Sequence, residues 1–136
     1  MKPAIIGALA VMLAAPAMAA DDLPLPVART LGNSLHYQAP DTHFAMVIRD
    51  SADHRYEAVV DLRDPAGRPV HLRMSGRWTI EGDRICRQQT SPPPPPGHDR
   101  ICEAYGAYPA PGESRTDPAT GLILTLVLTP APGSAP

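Results

Sequence analysis

Lysine is almost missing from this chain: of 136 residues only Lys2 is one, and every other basic side chain is one of eleven Arg or five His. The Arg residues are scattered, with no stripe or cluster, and fourteen Asp and Glu outnumber them. Counterion release, which drives binding to a nucleic-acid backbone, therefore has no source here. Aromatic residues are few, with Trp78, Phe44 and four Tyr, so platforms for base stacking are lacking as well. No apolar run reaches the ~20 residues that a membrane-spanning helix needs. The chain has no C-x-x-C, H-x-H, H-x-x-H or H-E-x-x-H spacing and no G-x-S-x-G. The local signatures of a redox dithiol, a metal site and a serine hydrolase are thus absent, and no cofactor is implied.

What is present begins at the N-terminus. Met1-Lys2 leads into an apolar stretch from Ala4 to Ala15, then Pro16-Ala17-Met18-Ala19-Ala20, then Asp21-Asp22. A basic start, a short apolar core and a small-x-small site form the pattern of a cleavable signal peptide over residues 1–20. Cleavage after Ala19 or Ala20 leaves a chain of formal charge −3, destined for the periplasm or the extracellular space by Sec-type export, with no membrane span. That length is one domain with a core of its own. Residues 21–33 read as an N-terminal arm, its Asp21–Pro26 start acidic, proline-punctuated and loosely held. Residues 34–129 read as the β domain, and 130–136 as a flexible tail.

Between the ends the chain alternates. Ser34 to Gln38 reads as a short strand. Phe44, Met46 and Ile48 oppose His43, Val47 and Arg49. Tyr56, Ala58, Val60 and Leu62 oppose Arg55, Glu57, Val59 and Asp61, and Asp64-Pro65-Ala66-Gly67 turns the chain. Val70, Leu72 and Met74 oppose His71 and Arg73, Ser75-Gly76 breaks or bulges the strand, and Trp78 and Ile80 resume the inward face. Period-2 patterning with turn signals every ~8–12 residues predicts an all-β fold of about seven or eight strands. The expected form is a single antiparallel meander, a barrel or half-barrel. Residues 106–120 read as a Gly/Pro/Ser-rich loop, and 121–129 as a last, fully buried strand.

Cys86 and Cys102 are the only cysteines. An even pair in an exported chain predicts a disulfide. Asp83-Arg84-Ile85-Cys86 recurs as Asp99-Arg100-Ile101-Cys102, with Pro92 to Pro96 between. If the quartets pair as antiparallel strands, opposed residue numbers add to 188, Cys86 faces Cys102, and the turn centres on Pro94. Closing that loop stabilises the fold by ~3 kcal/mol in the chain-entropy picture. The proline-rich loop reads as a stiff tip.

The stretch Gly76-x-Trp78-x-Ile80-x-Gly82-Asp83-x-x-Cys86, followed by Cys102, resembles small exported proteobacterial domains of unknown function. It also resembles part of the periplasmic alkaline-protease-inhibitor family, about 11 residues in all. That resemblance implies an eight-stranded lipocalin-like barrel with one disulfide, and an N-terminal arm that reaches into a protease. Here both cysteines lie at or after the stretch, whereas in that family the first lies well before it.

Three functions follow as expectations. The first is a non-enzymatic envelope module that binds a protein or a small apolar ligand, with Trp78, Arg49, Arg73 and Tyr56 as the ligand or partner surface. The second is an inhibitor of an exported protease acting through the arm. The third is a small metal carrier or enzyme using His43, His54 and His71, where His43 and His71 converge with Glu57 or Asp61 on one sheet face. The alternating Arg, Asp and Glu of residues 49–87 otherwise read as a solvated sheet surface.

Overall fold

The computed structural model describes residues 22–40 and 43–130. The signal peptide expected at 1–20 and all but the first residue of the tail lie outside the described residues. One helical turn, α1 (Leu25–Ala28), precedes eight strands: β1 (Ser34–Gln38), β2 (Ala45–Asp50), β3 (Arg55–Arg63), β4 (Pro69–Glu81), β5 (Arg84–Ser91), β6 (Arg100–Ala104), β7 (Ser114–Thr116) and β8 (Ile123–Val127). A 3-10 turn, Tyr105–Ala107, follows β6. Among the described residues all pairings between these strands are antiparallel, in the sheet order β6-β5-β4-β3-β2-β1-β8-β7. The fold is an all-β curled half-barrel. The meander holds for six strands, and β8 then returns to pair with β1.

Alternation decides which side chains turn inward. Opposed pairs Leu35–Ile48, Ile48–Ala58, Ala58–Met74 and Tyr37–Leu124 carry one apolar face from strand to strand. The other face carries Arg49, Glu57, Asp61, His71 and Arg73. In β3 the burial pattern runs buried and exposed by turns from Arg55 to Val60, as period-2 side chains on a one-sided sheet require. The curl is visible in long reach: Tyr37 on β1 donates to Glu103 on β6 although four strands lie between them.

Local rules explain the tightest places. Gly82 takes φ +62° at the first position of the two-residue β4–β5 turn, a conformation that costs glycine little. At Gly76 the β4–β5 register shifts, so that β5 carries one extra residue at Thr90. A Cβ there would run into the Gln88 carbonyl and come within 2.8 Å of the Tyr56 ring. The strand can pass at this point only with no side chain. The β5–β6 hairpin has the register read from its repeat, with Cys86 opposite Cys102 and Arg87 opposite Ile101. The two sulfurs are bonded, and no cysteine is free.

Three expectations are corrected. The arm is not loosely held where it is described. Leu23, just before the α1 turn, and Val27 within it are 9% and 0% exposed within the core. Their burial in the core outweighs the prolines, which a helix start tolerates. The segment 121–129 is not buried throughout: Leu124 and Leu126 are buried, while Ile123 and Thr125 face the half-open outer side. The 106–120 loop also contains β7, which pairs with β8 at the sheet edge.

Candidate functional site

On the inner face, beside the apolar core, stands an ionic cluster. Arg87 on β5 is 6% exposed and Asp50 at the end of β2 is 2% exposed. Arg87 Nε donates to Asp50 Oδ1 at 3.0 Å and Nη2 to Oδ2 at 2.5 Å, a two-pronged pair that fits both planar groups. Nη1 donates to Glu103 Oε1 on β6 at 2.5 Å, and Nη2 also reaches the Tyr108 hydroxyl at 3.2 Å. Glu103 Oε1 further accepts from the hydroxyls of Tyr37, at 2.5 Å, and Tyr108. No buried side-chain nitrogen or oxygen among the described residues lacks a partner. A buried charge costs several kcal/mol unless it is paired in this way.

The titration tendencies follow from this setting. Burial, then Tyr108 and the Glu103 charge, push the Tyr37 phenol well above its usual range, against the pull of Arg87. Burial likewise raises Tyr108 beyond the usual phenol range, with Arg87 opposing and Glu103 adding to the rise. Both therefore stay protonated and act as donors. Burial works against the charge of Arg87, but the hydrogen bond and the charge of Asp50 hold it well above its ordinary value.

Next to the cluster lies a cavity of about 90 Å³. Met46, Ile48, Ala58 and Met74 form its apolar wall, Ile101 stands at its lip, and Arg87 and Glu103 supply its charged side. Tyr56 lines it too, its phenol raised by burial while Arg87 pulls down and Asp50 pushes up. Gln89, His98 and Asp99 border its exposed margin. Ile101 is 72% exposed, a large apolar side chain left uncovered on the inner side of an edge strand.

The residues singled out from sequence are divided by this architecture. Trp78 and Tyr56 point inward and Arg49 and Arg73 outward, so the four do not form one surface. Trp78 is fully buried: its Nε1 donates to the Ser51 carbonyl at 3.1 Å and its ring stacks on His54 at a centroid distance of 4.1 Å. His54 holds φ +65° to make that contact. Arg49 donates to the Ser34 hydroxyl, and Arg73 is exposed opposite Val59. His71 Nδ1 lies 2.5 Å from Asp61 Oδ1, and His43 borders the same surface depression, while His54 sits with Trp78. The tightest grouping of ligand-type atoms among the described residues is Glu81 with the two bonded sulfurs of Cys86 and Cys102, not the histidines. That sulfur pair already has its bond.

The charged face expected to be solvated over 49–87 fails at Arg87, which is buried. Parity held the missing signal. Trp78 and Arg87 stand symmetrically about the Gly82-Asp83 turn and oppose each other in the sheet. In the β5–β6 register Glu103 opposes the buried Ile85. Asp50 continues the inward parity of Met46 and Ile48. Three charged residues at inward positions of one sheet announce a buried cluster. No helix among the described residues is long and apolar enough to cross a membrane. No protein-family model, curated protein or solved structure matches this chain.

Proposed function

We propose that this is an exported, non-enzymatic binding domain that takes a small apolar group into its half-barrel. The observation that carries the reading is the cavity walled by Met46, Ile48, Ala58 and Met74 beneath the uncovered Ile101. Concave apolar surface with a few convergent polar groups is the usual form of a ligand site. The two Met side chains are flexible and polarizable, which suits a wall that adapts to its guest. The signal-peptide pattern at residues 1–20 and the paired cysteines support export. Inhibition of a protease through the arm has less behind it, because Leu23 and Val27 are spent in this chain's own core.

The cavity's volume suits a short chain or one ring. Four methylenes at ~0.8 kcal/mol each contribute about 3 kcal/mol, so a bare chain binds no tighter than millimolar. The test is a titration of the purified protein with hexan-1-ol, following the Met46 and Met74 methyl signals by NMR. Both signals shift in a saturable way, and Ala58→Phe, which fills the cavity, abolishes the shifts. Methyl signals that stay put, or that move equally in Ala58→Phe, overturn the reading.

A further inference from the structure

The cavity is lopsided in charge. Arg87 spends its Nε and Nη2 on both oxygens of Asp50, which cancels one positive charge against one negative. Its remaining nitrogen, Nη1, goes to Glu103, and to Oε1 alone. Tyr37 and Tyr108 aim at that same oxygen. Oε1 is thus saturated with three donors, while among the described residues nothing donates to Oε2. The Glu103 side chain is 25% exposed and lines the cavity. Two carboxylates and one guanidinium leave the cluster with a formal charge of −1, and Asp99 at the margin adds to it.

We propose that the guest is an amphiphilic amine: an ammonium group that donates to Glu103 Oε2, with a short apolar chain lying on Met46, Ile48, Ala58, Met74 and Ile101. This rests on the apolar-binding reading and gives it a ligand class. A charge-assisted bond to a held carboxylate contributes more than a neutral one. Three donors already fix the carboxylate, so little ordering remains to be done when the guest arrives. A carboxylate-headed guest would meet Oε2 with like charge. An alcohol of the same length would keep the apolar contacts and lose the charge.

The experiment compares hexylamine, hexan-1-ol, hexanoate and trimethylhexylammonium by titration of the purified protein near neutral pH. Hexylamine binds about tenfold tighter than the alcohol, and hexanoate binds more weakly than the alcohol. Trimethylhexylammonium keeps the charge but has no N–H, and it falls towards the alcohol. Glu103→Gln removes the preference for the amine while retaining alcohol binding, whereas Glu57→Gln on the outer face leaves the preference intact. Equal affinity for amine and alcohol overturns the proposal, as does trimethylhexylammonium binding as tightly as hexylamine. Should Glu103→Gln fail to fold, the four-compound comparison on the unaltered protein still decides. If the alcohol binds and the amine is no better, only the amine assignment falls; if none of the four binds, the apolar-binding reading falls with it.

Discussion

Trp78 and Arg87 face each other across β4 and β5, both are almost sealed from water, and they are held by opposite means. Trp78 sits beneath the Ser51–His54 turn, with one hydrogen bond to a carbonyl and a stacked imidazole, and its stabilisation is mainly area removed from water. Arg87 brings little apolar area and is tolerable only because Asp50, Glu103 and Tyr108 answer its nitrogens. The lesson is one of tolerance. The first region can lose a contact and stay a core. The second cannot lose one partner without stranding another.

The sharpest way to break that comparison is to truncate each residue. Trp78→Ala leaves a large void and costs about 3–5 kcal/mol. Arg87→Ala strands the Asp50 carboxylate in the interior and costs a similar ~3–5 kcal/mol despite removing far less apolar surface. Urea unfolding of both variants measures this, and a much smaller loss for Arg87→Ala would show that the cluster contributes little.

Next in size is the hairpin that carries Arg87 and Glu103 of the polar region. Opening the Cys86–Cys102 bond, which spans 16 positions, lowers stability by ~3 kcal/mol. Because among the described residues β6 pairs only with β5, the loss concentrates on the β6 residues Ile101 and Glu103 and spares Trp78. Hydrogen exchange with and without reductant distinguishes a local loosening of β6 from a uniform loss.

The smallest effect separates the two regions by pH. The Tyr37 and Tyr108 phenols hold their protons more firmly folded than unfolded, burial being the main cause. Their share of stability is complete below the ordinary phenol value of 10.0 and declines as pH rises above it, because the unfolded chain then releases protons the folded one keeps. Thermal melts taken between about pH 9 and 11 show this decline, and the Tyr37→Phe, Tyr108→Phe double variant flattens it.

The two regions also differed in legibility. Trp78 lies in a run of strict alternation with a glycine before it and a tight turn after it, so local rules place it inward, and the close approach at Gly76 follows from the same stretch. The disulfide register was legible because a repeated quartet and a central proline run define one symmetric hairpin. The cluster draws on β1, β2, β5, β6 and a residue past the 3-10 turn, and only the curl of the whole sheet brings them together. Parity marked Asp50, Arg87 and Glu103 as inward, but the charge of each residue, taken alone, argued for water. The arm misled for a related reason: its prolines and acidic start are local signals, while the burial of Leu23 and Val27 depends on a core assembled elsewhere.

The hydrogen bond from Tyr37 to Glu103 joins positions 66 apart, on the first and sixth strands. It has no counterpart in any hairpin, so a half-zipped chain gains nothing from it. Such a link rewards completion rather than initiation: it belongs to the last stage of assembly, when the loop-closure cost of every intervening turn has been met. Damage there shortens the lifetime of the finished fold more than it slows the chain's arrival.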